Sequence, residues 1–402
     1  MGRNKRKMLI GIVGKPSAGK STFFKAATLA DVPIAQYPFT TIKPNHGVGY
    51  VKVECIDKEL NTQCQPNHGF CLNHWRFVPV ELMDVAGLVP GASEGKGLGN
   101  QFLDDLRQAD TFIQIVDVSG TTDREGKLVL KGSSDPVDDV KFLEEELNKW
   151  YFNILMKVWR SFARKAEMTS KDNFSEAVAK QFSGLKIKEE QVKTVLRKLN
   201  FKDNPSSWDN DQLMNFASEL RKESKPMIIA ANKIDLPSSK ENYEKLKKEF
   251  PDLMIIPCSA DSELALKEAA KSKLIDYIPG ENDFNIKGEI NEKQKQALKN
   301  IKKNILEVYK NTGVQNILNA AVFELLKYLA IFPAGSKLKD SKGHILPDCF
   351  LLPENSTALD LAYFIHTDIG NNFIKAIDVR TKRVLGKNHI LKNRDVLEIV
   401  IR

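Results

Sequence analysis

Residues 14–21 read GKPSAGKS, a Gly-x-x-x-x-Gly-Lys-Ser loop, and the apolar run 8–13 before it places that loop at the end of a buried strand. A strand-loop-helix turn of this kind surrounds a polyphosphate with backbone N–H groups and a helix N-terminus. Gly14 and Gly19 let the backbone close around a β-phosphate, Lys20 reaches the β- and γ-oxygens, and the Ser21 hydroxyl suits magnesium. Lys15, Pro16, Ser17, Ala18 and Thr22 complete the phosphate-binding turn. The chemistry they predict is the gripping of a nucleoside triphosphate.

The base is selected far along the chain. A strand over 224–231, with the apolar run PMIIAA (226–231), leads into Asn232, Lys233, Ile234 and Asp235. In an Asn-Lys-x-Asp element the Asp carboxylate accepts from N1–H and the exocyclic amine of guanine, whereas adenine leaves it unmatched at a large cost. A further strand over 253–257 delivers Cys258, Ser259 and Ala260, whose backbone can meet guanine O6. Two more elements make the pocket sensitive to the γ-phosphate. The strand over 78–83 ends in Asp84, expected to hold magnesium through water, and Gly87, whose N–H would touch the γ-phosphate. Between this strand and the phosphate loop lies YPFTT (37–41), in which Thr41 can complete the magnesium shell; loss of the γ-phosphate would release both segments. Charge stabilisation in catalysis is assigned to Lys20, Asp84 and Gly87. Leu88 stands where related switches carry a water-orienting glutamine, and an alkyl chain cannot orient water, so intrinsic turnover should be slow and no general base is assigned.

Four stretches beyond these motifs are distinctive: YPFTTIKPNHGVG (37–49), DVAGLVPGASEGKGLGNQFLDDLRQAD (84–110), DPVDDVKFLEEEL (135–147) and LPENSTALDLAYFIHTDIG (352–370). Together with the nucleotide motifs they make the chain resemble, over nearly its whole length, the Obg-related branch of translation-factor-type GTPases, and within it the archaeal-type members of the YchF subgroup. The resemblance implies a hydrolase without the switch glutamine, relying on another group, a monovalent cation or a partner. Some relatives that use potassium carry asparagine where this chain has Ser17, a departure that speaks against potassium activation here. Many bacterial and eukaryotic relatives have lost the Asn-Lys-x-Asp element and resemble ATP users. Since Asn232, Lys233 and Asp235 are all present, GTP is the reading and ATP the alternative. The resemblance also implies a helical domain inserted before Asn232, a C-terminal TGS module of β-grasp type, and the ribosome or RNA as partner through those two parts. The competing class is a nucleotide-gated docking module with vestigial turnover.

These elements imply an α/β architecture: a doubly wound phosphate-loop domain over 1–138 and 224–275, a helical insertion over 139–223, a linker and helical segment over 276–330, and a small α+β TGS domain over 331–402. In the insertion, Phe142, Leu143, Leu147, Trp150, Tyr151, Ile154, Leu155, Val158 and Trp159 recur at helical spacing and read as a core seam rather than a base-stacking platform. Residues 276–288, with Pro279-Gly280, read as linker and 291–330 as helical. With 402 residues and 42% hydrophobic content the chain can bury more than one core. No apolar stretch reaches the roughly 18 residues needed to span a bilayer, and five cysteines in so long a chain read as reduced thiols, so a cytoplasmic protein is expected. A net charge of +8 suits an anionic polymer, and Lys375, Arg380, Lys382, Arg383 and Lys387 near the C-terminus could meet phosphates. Finally, Cys55, Cys64, His68, Cys71 and His74 fall in one short polar segment, a donor set that suits tetrahedral zinc although its spacing matches no common finger.

Overall fold

Short runs of aliphatic residues form the strands that carry the nucleotide motifs, and charged amphipathic segments form the helices around them. The computed structural model describes residues 8–29, 45–85, 106–130, 133–169, 174–201, 204–335, 338–340 and 343–402. The first part of the chain supplies β1 (Leu9–Val13), β2 (His46–Glu54), β3 (Phe70–Leu72), β4 (Trp75–Asp84), β5 (Thr111–Asp117), β6 (Met227–Asn232) and β7 (Met254–Cys258). Its helices are α1 (Lys20–Thr28), α2 (Pro136–Met156), α3 (Trp159–Thr169), α4 (Phe174–Gln181), α5 (Glu189–Leu199), α6 (Asn210–Ser224) and α7 (Ser239–Glu249).

The chain divides into two units, one built from residues 9–24 and 83–261, the other taking in 25–82 and 262–402. In the first, β1, β5, β6 and β7 lie side by side in parallel, with Ile12 opposite Ile113, Val116 opposite Ala231 and Ala230 opposite Ile256. Every residue of β1, β5 and β6 is buried, the continuous apolar pattern expected of a parallel sheet covered on both faces. Because parallel strands deliver their C-terminal ends to one edge, the loops after β1, β5, β6 and β7 gather there.

The helical insertion starts at a defined signal: the Asp135 carboxylate accepts from the Val137 N–H and Pro136 occupies the first turn. At its other end Asp209 and Gln212 form a reciprocal capping box that starts α6. Trp150, Tyr151, Leu155 and Trp159 are buried in one cluster with Phe216 and Leu220, as the seam reading expects. Trp159 stacks on Trp208 at 5.4 Å between ring centroids, and its indole N–H donates to the Pro205 carbonyl at 2.9 Å.

In the second unit, β3 and β4 form a hairpin in which Leu72 faces Trp75, so the loop is Asn73-His74 alone. Both residues have positive φ (46° and 65°), as a two-residue turn matched to the strand twist requires. Residues 276–288, expected as a linker, instead hold a short hairpin of β8 (Ile275–Tyr277) and β9 (Phe284–Ile286) around Pro279-Gly280. The helical stretch after Asn291 begins with α8 (Glu292–Ile301) and continues through α9 (Val314–Asn319), but it ends sooner than expected: β10 (Tyr328–Pro333) is a strand. It joins β11 (Phe350–Pro353), β12 (Phe373–Asp378), β13 (Val384–Leu385) and β14 (Val396–Ile401) in a sheet of order β11-β10-β14-β12-β13, with helix α10 (Ala358–Ile365) over it. Ile331, Leu352, Ala358, Leu361, Ala376 and Leu397 close its core. Among the described residues no helix is long and apolar enough to cross a membrane.

Candidate functional site

The phosphate loop leaves β1 at Gly14 and enters α1 at Lys20, within the first unit. At Gly19 the backbone is left-handed (φ 99°), and a Cβ there would lie 2.3 Å from the Asn232 side-chain nitrogen, so only glycine lets the two approach. Asn232 uses both ends of its amide: Nδ2 donates to the Ala18 carbonyl at 2.9 Å, and Oδ1 accepts from the Ala260 N–H at 3.1 Å. The first residue of the Asn-Lys-x-Asp element thereby joins the phosphate loop to the turn after β7. Lys233, with φ 64°, sends its ammonium to the buried Asp117 at 2.8 Å, and the exposed Asp235 follows at the rim. Ser259 is fully buried beside Ala260.

Lys20 is buried and its ammonium donates to the Lys15 carbonyl at 2.8 Å. Burial lowers its pKa, with the Asp84 charge pulling the other way. Asp84, at the end of β4, is shifted the opposite way, raised by burial against the pull of a Ser21 hydrogen bond and the Lys20 charge. The Ser21 hydroxyl donates to Asp84 Oδ2 at 3.2 Å. Ser21 and Asp84 thus set two hard oxygen donors side by side, the donor type magnesium takes, with Asp84 placed to act through a magnesium-bound water. Pro16 and Ser17 lie on the turn and Thr22 in the first turn of α1, Ser17 exposed and left-handed at φ 59°. Thr41, Gly87 and Leu88 fall outside the described residues, as do 37–40.

Two supports escape the sequence reading. Lys15, counted among the phosphate-binding residues, buries its side chain in an ion pair with Asp139 of α2 at 2.8 Å and donates to the Thr122 carbonyl at 2.7 Å. Burial nevertheless pushes the Asp139 carboxyl up to about 6, because the Lys15 ammonium offsets only part of the lost hydration. The signal is present in the sequence: Asp139 lies on the same helix stripe as the buried Pro136, Val140, Leu143 and Leu147. Asp117 is the second support. Burial would raise its pKa, but bonds from Lys233, Ser119 and Thr122 outweigh that and lower it. Over the loop sits Gly126 (φ 81°), where a Cβ would lie 2.6 Å from Pro16.

The cysteine segment lies in the second unit and corrects the expected donor set. Cys55, Cys64 and Cys71 do come together, but with Asp57 rather than a histidine: their ligand atoms all fall within 4.8 Å of one another. The turn that carries His74 presents its ring to the Asp57 carboxylate, Nδ1 to Oδ1 at 2.9 Å, and His68 is not part of the group. One basic residue of the C-terminal sheet is also already engaged, since Arg380 bonds Glu59 at 2.7 Å and the Arg394 carbonyl at 2.8 Å. Lys382, Arg383 and Lys387 are exposed.

Three family models match: 50S ribosome-binding GTPase over residues 9–151, the G4 motif-containing domain of Obg-like YGR210-like GTPases over 230–335, and the TGS domain over 331–401. An uncharacterised GTP-binding protein of Methanocaldococcus jannaschii is 47% identical, covering 98% of both chains. The ribosome-binding ATPase YchF of Mycoplasma genitalium is 30% identical across 96% of this chain and 97% of its own. Among solved structures, a GTP binding protein from Pyrococcus horikoshii superposes with a TM-score of 0.78 at 38% identity, covering 98% of this chain and 100% of that one. A phosphate loop, an Asn-Lys-x-Asp turn and a C-terminal TGS sheet, in a chain aligned end to end with such relatives, are those of the YchF-type branch of the Obg-related GTPases, and to that family this chain belongs.

Proposed function

We propose that this protein binds GTP with magnesium and hydrolyses it to GDP and phosphate, using the bound nucleotide as a switch in association with ribosomes. The observation that carries the reading is the Asn232 bridge, through which the phosphate turn and the segment leading to Asp235 share one edge of one sheet. In this reading the N–H groups of the turn from Gly14 to Ser21 cradle the phosphates, and Lys20 leaves the Lys15 carbonyl to meet the β- and γ-oxygens. Ser21, Asp84 and Thr41 hold the magnesium, which when bound neutralises phosphate charge as it develops. Asp235 accepts from guanine N1–H and the exocyclic amine, and the Ser259–Ala260 backbone meets O6. The Gly87 N–H signals the presence of the γ-phosphate. With Leu88 in the glutamine position, the chain itself supplies charge stabilisation but no water-orienting side chain, so turnover is slow until a partner supplies one.

ATP use is the second reading, favoured by the names of the bacterial relatives. Titrating GTP, GDP and ATP against the wild type and Asp235→Ala separates the two. GTP and GDP should bind at least roughly a hundredfold more tightly than ATP, and the difference should collapse in the variant. Equal affinity for ATP and GTP in the wild type defeats the guanine assignment. Single-turnover hydrolysis with and without ribosomes tests the switch: a rate indifferent to ribosomes and equal to that in buffer favours a docking module with vestigial turnover.

A further inference from the structure

We propose that Cys55, Cys64, Cys71 and Asp57 form a structural zinc site that pins the β3–β4 hairpin and the loop on which the C-terminal sheet rests. The four donors come from the end of β2, the turn after it, the following loop and β3, and their ligand atoms lie within 4.8 Å of one another. Cys55 and Asp57 are fully buried and Cys64 nearly so, while Cys71 is half-buried, the closed surroundings of a structural rather than a catalytic metal. The Cys55 and Cys64 sulfurs are 3.6 Å apart. A disulfide holds sulfurs at about 2.05 Å, whereas two thiolates on one tetrahedral zinc, with bonds of about 2.3 Å, stand about 3.8 Å apart. The observed spacing rules out a disulfide and fits an edge of a zinc tetrahedron. Asp57 Oδ2 lies 3.8 Å from the Cys71 sulfur and accepts from the Cys64 N–H at 3.2 Å, while its other oxygen meets His74. That leaves the carboxylate oriented from both sides, as ligating carboxylates are.

A second observation points the same way. Arg76 is fully buried, and its guanidinium gives its two Nη groups to the Pro347 and Leu346 carbonyls while Nε has no hydrogen-bond partner. Its field falls on Cys64, Cys349, Cys55 and Cys71 and on Asp348. Three thiolates and a carboxylate on a divalent cation keep a surplus of negative charge, and a buried guanidinium alongside compensates it without competing for the metal. On binding, each ligating thiol gives its proton to solvent, with no change of oxidation state. The site also explains how a segment with little apolar core can serve as a platform. Gln65 and Asn67 donate backbone N–H groups to the Ile345 and Pro347 carbonyls at 2.8 and 2.9 Å, and Glu59 is gripped by Arg380 and Arg394.

Elemental analysis of the full chain, purified in reductant without chelator, tests the proposal. The expected result is roughly one zinc per chain, falling to less than about a tenth in Cys64→Ser and Cys71→Ser and unchanged in Cys349→Ser, whose sulfur stands outside the clustered set. Should the serine variants fail to fold, the native chain still decides the matter. After removal of its metal it must take up one equivalent of cobalt(II) and show sulfur-to-cobalt charge transfer with the intense visible bands of a tetrahedral site. The proposal is overturned by reduced protein that holds neither zinc nor cobalt, by a Cys55–Cys64 disulfide that forms in its place, or by full zinc content in the two serine variants.

Discussion

Asp139 shows how a residue outside the nucleotide motifs can tether the loop before α1, through its ion pair with Lys15. Its carboxyl titrates near 6 in the folded chain, above the usual 3.8, so acidification protonates it in the native state first. In stability terms its contribution is smallest above 6 and grows as the pH falls towards the ordinary carboxyl value, because the native state then binds the extra proton. For ligand binding the direction is reversed, since protonation removes the ion-pair partner of Lys15. Nucleotide affinity should weaken several-fold between neutral pH and about pH 5, over and above the titration of the nucleotide itself. Asp139→Asn should be weaker at neutral pH and show only the ligand's own pH dependence. Calorimetric titrations of both proteins across that range check this, and a variant that keeps the wild-type pH response shows that Asp139 is not the tether. The motif residues are legible in the sequence because their spacing is local. The Lys15–Asp139 pair is only half legible: Asp139 falls on the buried stripe of its helix, but nothing local to either residue names the other as its partner. Asp57 escapes for a related reason, since one carboxylate in a polar loop has no spacing signature.

At the scale of elements, what is legible is whatever carries its own period or punctuation. The buried parallel strands read as continuous apolar runs, and the insertion reads as helical from its aromatic spacing, with Trp159 at the centre of its cluster. Replacing Trp159 by alanine removes that stack and its bond to Pro205, and should lower stability by about 3–5 kcal/mol while leaving nucleotide affinity unchanged. Urea denaturation followed by circular dichroism measures the first and titration the second; a loss below about 1 kcal/mol would mean the cluster repacks around the gap. The β8–β9 hairpin reads as linker because each strand has only three residues and Pro279-Gly280 suits a hairpin turn as well as a connecting segment. Strand β10 reads as a continuation of the preceding helix because its apolar run carries on from Leu325, and its partners β11 and β14 occur only later in the chain.

For the whole molecule, a net charge of +8 makes exposed cations the candidates for contact with an anionic partner. With Arg380 tied to Glu59, the exposed Lys382, Arg383 and Lys387 are the cations of that group best able to face an anionic partner. Reversing these three charges to glutamate should weaken co-sedimentation with ribosomes and make the salt dependence shallower by roughly two to three ion equivalents, with GTP turnover in isolation unaffected. An unchanged salt series places the contact elsewhere. The amide of Asn232 has a consequence on an evolutionary scale. One side chain ties the loop between β1 and α1 to the turn after β7. On the proposed reading, a descendant that gave up guanine by losing Asn232 would lose that fastener as well, and would need another way to keep the loop before α1 in shape before it could prosper on a different nucleotide.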